Sequence, residues 1–167
     1  MGSMSQETYQ IHLGKEAFKF SSAHMTVFPD GTKESLHGHN YRVQIHFDFK
    51  SFAFAAMVPF ADLKSPVSAL CKEWDEKVLL ATQCPFMEVK SEKGTEVEFL
   101  LCKKRYVLPK EDVLFLTIEN ITAEELAQEF TRQLLGRISP LAVERILGIS
   151  VTIEESTGQG ATVSRRI

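Results

Sequence analysis

The chain has 167 residues, of which 44% are hydrophobic, 10% aromatic and 25% charged, enough apolar material for one ordinary buried core. Its 22 acidic residues outnumber its 19 basic ones, for a net charge of −3, and no basic cluster exceeds Lys103-Lys104-Arg105, which argues against nucleic acid as the main partner. With no run of about eighteen apolar residues and no signal-peptide core, the sequence predicts a soluble, unexported, cytoplasmic protein without a membrane partner.

Met1-Gly2-Ser3 ahead of Met4 resembles a tag remnant, so residues 1–7 read as a remnant with a flexible tail and residues 8–167 as a single domain. Alternating apolar and polar residues predict strands over Tyr9 to Phe20 and Tyr41 to Phe49, paired antiparallel across a loop at Phe28-Pro29-Asp30-Gly31-Thr32. A helix follows, with Ser65 as its N-cap, Pro66 at its first position and an apolar face of Val67, Leu70, Cys71 and Trp74. Strand character returns from Glu96, with Lys103-Lys104 as a hairpin turn and Pro109 closing the arm because it has no N–H to donate. Thr122-Ala123-Glu124-Glu125 has capping-box spacing and opens a second helix through Leu126, Ala127, Phe130, Leu134 and Leu135. Ile149, Val151 and Ile153 then alternate with polar residues, and a last strand runs past Gly158-Gln159-Gly160 toward Arg166. This order predicts an α+β fold, a four-stranded antiparallel sheet with two helices on one face. Such a sheet leaves open edges, so the chain is expected to form a homo-oligomer that continues it. Cys71, Cys84 and Cys102 are odd in number and lack CxxC spacing, which fits reduced thiols.

The chemistry concentrates in Phe20-Ser21-Ser22-Ala23-His24 and Leu36-His37-Gly38-His39-Asn40-Tyr41. On a strand His37 and His39 share a face, and His24 joins them if its own strand pairs alongside. An HxH doublet by itself is a weak signal and arises on strands by chance. Three of the five histidines within sixteen residues make a stronger one. A structural zinc site has four protein ligands, commonly including cysteine, whereas three histidines leave a coordination position for water or substrate. That pattern points to a catalytic metal. His12 and His46 are left without a role.

These blocks, together with Met57-Val58 to Asp62-Leu63-Lys64, Thr122 to Ala127 and Val151-Thr152-Ile153-Glu154-Glu155-Ser156, resemble the 6-pyruvoyl-tetrahydropterin and 6-carboxy-tetrahydropterin synthase family in composition and order. The resemblance implies a tunnelling fold that assembles into a barrel, commonly a hexamer of two trimers, with active sites between subunits. It implies zinc on His24, His37 and His39 and a pterin substrate, 7,8-dihydroneopterin triphosphate or a relative of it. Glu155 matches the glutamate that holds the pterin ring, and a carboxylate can accept two parallel hydrogen bonds from the ring's amino group and adjacent N–H. Glu154 is its neighbour and rival, but strand alternation sends the two to opposite faces. Thr122 and Glu124 match pterin-contacting positions, although a helix cap requires Thr122 for its own reasons.

The pattern also breaks. Most members of the family carry a cysteine base a few residues before the HxH, partnered by an Asp-His pair. Here Lys33 and Glu34 stand in that region, and Glu76 replaces the histidine beside Asp75. Relatives that use a glutamate before the Leu-His-Gly-His block cleave the substrate's side chain to 6-hydroxymethyl-dihydropterin, and Glu34-Ser35-Leu36-His37-Gly38-His39 is similar to that arrangement. Glu34 is therefore the leading base, with Asp75 and Glu76 as a carboxylate pair able to share a proton. Lys33 would need strong desolvation to be neutral at pH 7. Elimination to 6-pyruvoyl-tetrahydropterin, formation of 6-carboxy-tetrahydropterin, and a non-catalytic zinc- and pterin-binding protein stay open. The stretch from Gln83 to Leu116 reads as an inserted hairpin that lengthens the barrel wall or reshapes the entrance.

Overall fold

The structure, a computed structural model, describes residues 7–167. Residues 1–6, which hold most of the expected tag remnant, lie outside the described residues.

The expected first strand is two strands, β1 (Tyr9–Leu13) and β2 (Lys19–His24), because a turn at Gly14 to Ala17 interrupts it. Both pair antiparallel with one long strand, β3 (His37–Phe49), so together they occupy a single position in the sheet. On the other side of β3 lies β9 (Ile146–Ser156), and β10 (Gln159–Arg166) closes that end. This is the four-position antiparallel sheet expected from the alternation. Two short strands extend it past β2 in parallel register, β4 (Lys77–Ala81) and then β8 (Val113–Leu116). Their sequences, Lys-Val-Leu-Leu-Ala and Val-Leu-Phe-Leu, are apolar runs without alternation, as strands covered on both faces tend to be.

The first helix, α1 (Phe60–Trp74), begins five residues before the expected cap at Ser65, and Pro66 lies inside it. An interior proline forfeits one backbone hydrogen bond and costs about 3 kcal/mol. The apolar period explains why the helix continues regardless: Leu63, Val67, Leu70 and Trp74 form one stripe, all at 1% exposure or less. Burying a leucine such as Leu63 returns about 1.5–3 kcal/mol and offsets much of that loss. The second helix, α2 (Ala123–Leu135), starts where the capping box places it, with Thr122 Oγ1 accepting from the Glu125 N–H at 3.4 Å. Both helices cover the sheet face that carries Tyr41, Val43, Ile45 and Phe47 of β3 and Val151 and Ile153 of β9. Trp74 meets Phe20 and Phe130 edge-on, with centroids 5.4 Å apart in each case. A one-turn helix, α3 (Pro140–Val143), is capped by Ser139 and was not anticipated.

The inserted hairpin is present as β6 (Glu96–Leu101) and β7 (Lys104–Pro109), and β5 (Met87–Ser91) adds a third strand on the free side of β6. Its turn falls one residue earlier than expected, at Cys102-Lys103, both with positive φ (50° and 66°). Such a turn ordinarily uses Asn or Gly, so its position was not marked by residue type. Val97, Phe99 and Leu101 join the same hydrophobic core as the main sheet. Cys71, Cys84 and Cys102 are free thiols. Among the described residues no helix is long and apolar enough to cross a membrane.

Gly38 fixes the approach of β2 to β3, since a β-carbon there would stand 2.9 Å from the Ser22 carbonyl oxygen. Gly38→Ala is expected to push the strands apart at Ala23 and cost about 1–3 kcal/mol in urea denaturation. An unchanged midpoint would mean that the pairing has slack at this point.

Candidate metal centre

Strand register brings the three histidines together. His24 lies directly across from His37, and Ser22 across from His39, so one face of two neighbouring strands presents all three imidazoles. Ring centroids are 4.5 Å apart for His24 and His37, 5.2 Å for His24 and His39, and 4.9 Å for His37 and His39. One ligand nitrogen from each ring lies within 4.8 Å of the others, a span that three donors around a single ion can close.

The hydrogen bonds around the rings prepare them as ligands. His24 Nδ1 lies 3.0 Å from the Ile121 carbonyl oxygen and His37 Nδ1 2.8 Å from that of Ser35. A carbonyl only accepts, so each Nδ1 carries the proton and each Nε2 keeps its lone pair, the usual arrangement behind a metal-ligating histidine. His24 is 2% exposed, and its Nε2 is buried without a hydrogen-bond partner among the described residues. A buried lone pair left unused costs about 1–3 kcal/mol, which a bound cation would recover. Burial, assisted by the two neighbouring imidazoles and opposed by the Ile121 contact, holds His24 below the ordinary histidine range and keeps it neutral for ligation. The donor set therefore fits a divalent metal.

Carboxylates approach this cluster from two sides. Glu34 Oε2 lies 3.9 Å from His37 Nε2, and the Glu34 side chain is 41% exposed, so it meets both the histidines and solvent. Glu155, near the end of β9, is half-buried and accepts from the Gln159 amide at 2.9 Å. Glu154 sits opposite Arg42 and Ile153 opposite Val43, so alternation gives Glu155 the face shared by Tyr41 and the histidines. Thr122 follows the residue whose carbonyl engages His24 and caps α2, while Glu124 is exposed in the first turn of that helix.

Asp75 and Glu76 serve the backbone of β2. Asp75 Oδ1 accepts from the Ser21 N–H at 2.7 Å, and the Glu76 N–H donates to the Ser21 carbonyl at 2.7 Å. Glu76 adopts a left-handed φ of 56°, which turns the chain from α1 into β4. Its side chain is exposed and shares with His39 and Gly38 the lining of an open cavity of about 520 Å³. No hydrogen bond joins the Asp75 and Glu76 carboxylates among the described residues.

Tyr41 was not singled out as a site residue. It is fully buried, its hydroxyl has no partner among the described residues, and its ring lies edge-on to His39 and His24 at 5.6 and 6.1 Å. Burial, then the Glu155 and Glu34 charges, push its phenol well above the usual tyrosine range, so it stays a neutral donor. Its position two residues after His39 on the same strand was the available signal.

Residues 13–166 match the 6-pyruvoyl tetrahydropterin synthase family. The chain belongs to this family. It is thereby placed among the enzymes of pterin biosynthesis. A relative from Methanocaldococcus jannaschii, provisionally named a 6-carboxy-5,6,7,8-tetrahydropterin synthase, is 33% identical over 159 residues, which cover 95% of this chain and 94% of that protein. The crystal structure of 6-pyruvoyl tetrahydropterin synthase from Plasmodium vivax superposes with a TM-score of 0.87 at 26% identity, covering 97% of this chain and all of the other. Two further structures of that enzyme, 25% identical to this chain over the same coverage and with the same TM-score, bear alanine or cysteine in place of a glutamate described as a catalytic residue.

Replacing His37, whose side chain is 38% exposed, tests the cluster with little disturbance of the core. His37→Ala is expected to weaken divalent-metal binding by more than about tenfold, since loss of a ligand's hydrogen-bond partner alone brings 10- to 100-fold. Competition with a chromophoric chelator measures this, and equal affinity in the two proteins would remove His37 from the ligand set.

Proposed function

We propose that this protein is a zinc-dependent lyase acting on 7,8-dihydroneopterin triphosphate, which it cleaves to 6-hydroxymethyl-dihydropterin with Glu34 as the base. The observation that carries the reading is the Glu34 carboxylate 3.9 Å from His37 Nε2, on the loop that enters the HxH strand, where no thiol is present. The catalytic glutamate of the Plasmodium vivax enzyme supports the same choice of residue type.

The proposed roles follow from position. His24, His37 and His39 hold the zinc ion, which when bound makes side-chain hydroxyls of the substrate more acidic. Glu155 accepts hydrogen bonds from the pterin's amino group and ring N–H, with Thr122 and Glu124 at the neighbouring helix start. Glu34 takes the proton from the hydroxyl one carbon beyond the ring-attached carbon. The bond between those two carbons then breaks, the hydroxyl carbon becomes an aldehyde, and the electron pair passes into the dihydropterin ring. Return of a proton to the ring-attached carbon leaves the hydroxymethyl product. Glu34, whose side chain is 41% exposed, can exchange that proton with solvent, while Glu76 lines an open cavity on the face of Gly38 and Asn40 and Asp75 holds the segment against β2.

A second reading, conversion to 6-carboxy-tetrahydropterin, is favoured by the name of the Methanocaldococcus jannaschii relative. Mass spectrometry of the products separates the two, because each reaction leaves a pterin of different mass. Glu34→Gln is expected to lower kcat by about 10²- to 10⁴-fold with KM little changed. A glutamine variant that turns over at the normal rate would remove Glu34 as the base, and a product other than 6-hydroxymethyl-dihydropterin would sink the cleavage reaction. Zinc removal by a chelator should abolish turnover and zinc alone restore it.

We also propose a homo-oligomer, a hexamer of two trimers, in a cytoplasmic setting. Strands β10 and β8 end the sheet with unpaired backbone edges among the described residues, and such edges favour continuation by another copy. Light scattering should give a mass several times that of one chain. A monomer at micromolar concentration would rule assembly out.

A further inference from the structure

The insert that carries β5, β6 and β7 does not line the histidine cluster, yet it reaches the loop on which Glu34 sits. Phe99 of β6 is fully buried, and Tyr106 of β7 stacks on it with centroids 5.2 Å apart and planes 11° from parallel. The other partner of Tyr106 is a charge. Lys33 Nζ lies 5.4 Å from the Tyr106 centroid, within the roughly 6 Å over which a cation is drawn to an aromatic ring. The same ammonium donates to the Glu34 carbonyl oxygen at 2.8 Å. From the other side the Glu34 N–H donates to the Thr26 carbonyl at 2.9 Å, and Val27 pairs with Lys33 in an isolated antiparallel bridge. Farther round the loop, Phe86 of the insert presses on Gly31, where a β-carbon would stand 3.0 Å from its ring.

We propose that the insert is a positioning element for Glu34, acting through Tyr106 and Lys33. The stack on Phe99 fixes the Tyr106 ring, the ring fixes the Lys33 ammonium, and the ammonium fixes the peptide that bears the base. Lys33 is thus a positioning residue. This rests on the reading of Glu34 as the base, and it assigns the stretch from Gln83 to Leu116 a task that neither lengthening a barrel wall nor shaping an entrance supplies. The physical need is plain: Glu34 is on a loop and partly solvated, and a displacement of about 1 Å at a catalytic group can cost up to 100-fold in rate.

The test uses three variants of the full zinc-loaded chain. Lys33→Met removes the charge and the donor at a half-buried position without touching the core of the insert. Tyr106→Leu removes the ring, and Tyr106→Phe returns it. Lys33→Met and Tyr106→Leu are each expected to lower kcat about tenfold with KM within twofold, Tyr106→Phe is expected to restore it, and in the Glu34→Gln background Lys33→Met should have no further effect. Amide exchange gives a readout apart from turnover, since the Glu34 N–H should exchange faster in Lys33→Met. If Glu34→Gln is impaired while Lys33→Met and Tyr106→Leu turn over as wild type, the positioning role is wrong and the base assignment stands. If Glu34→Gln turns over normally, the reading beneath the inference is wrong and the inference goes with it. If Lys33→Met lowers kcat by the same factor in both backgrounds, it acts independently of Glu34 and the inference is overturned.

Discussion

Everything at the candidate centre depends on the antiparallel register of β2 and β3. Because His24 faces His37 and Ser22 faces His39, three imidazoles from two strands share one face. Side chains alternate with period two, so a slip of one residue would send His24 to the opposite face and leave a doublet unable to enclose an ion. Several unrelated contacts secure that register. Phe20 and Tyr41 stack across the pair at 4.8 Å, the Ser22 hydroxyl donates to the Trp74 carbonyl at the end of α1, and Asp75 binds the Ser21 N–H. Helix α1 thus closes on the strand through side chain and backbone at consecutive residues. The core and the site share one determinant.

The electrostatic arrangement is also coherent. Imidazole ligands supply no charge to balance a dication, and the carboxylates of Glu34 and Glu155 bring negative charge toward the site. Both act on Tyr41, and Glu34 acts on His24 as well. Inside a partly buried site such charges interact more strongly than in water, so two anions at its margin favour a cation at its centre. The two differ in exposure and support: the Glu34 side chain is 41% exposed on its loop, whereas Glu155 is held by Gln159 at the strand end.

Much of this was legible in the chain. The HxH doublet put His37 and His39 on one strand face, with His24 expected to join them if its own strand paired alongside, and the capping box set the start of α2 at its observed residue. What was illegible has identifiable causes. Strands β4 and β8 are short apolar runs whose parallel pairing is long-range, and no local period separates such a run from a buried helical turn. Pro66 pointed to a helix start although Leu63 had already extended the apolar stripe upstream. Cys102 and Lys103 form a positive-φ turn without the residues that usually announce one. Tyr41 needed a burial value to stand out, because a tyrosine on an apolar strand face is ordinary core. The contact between Glu34 and His37 depends on a loop fold that no local pattern encodes.

Asp75 and Glu76 show why a matched motif position and a chemical role are separate inferences. Adjacent carboxylates at a helix end suggest a shared proton, but sharing requires the two oxygens to meet. Here the chain must leave α1, turn at Glu76 through a left-handed conformation, and run parallel to β2 from Lys77. That turn frees the Ser21 N–H and carbonyl to be satisfied by Asp75 and by the Glu76 N–H, a backbone demand that exists whatever the reaction is. The Asp75 carboxylate would lose this bond, and expose an unsatisfied N–H, if it swung away to carry protons. Glu76 has no such obligation: among the described residues only its backbone N–H is bonded, and its side chain is exposed at the cavity lined by Gly38 and Asn40. In this member of the family the aspartate belongs with the architecture that sets the strand register.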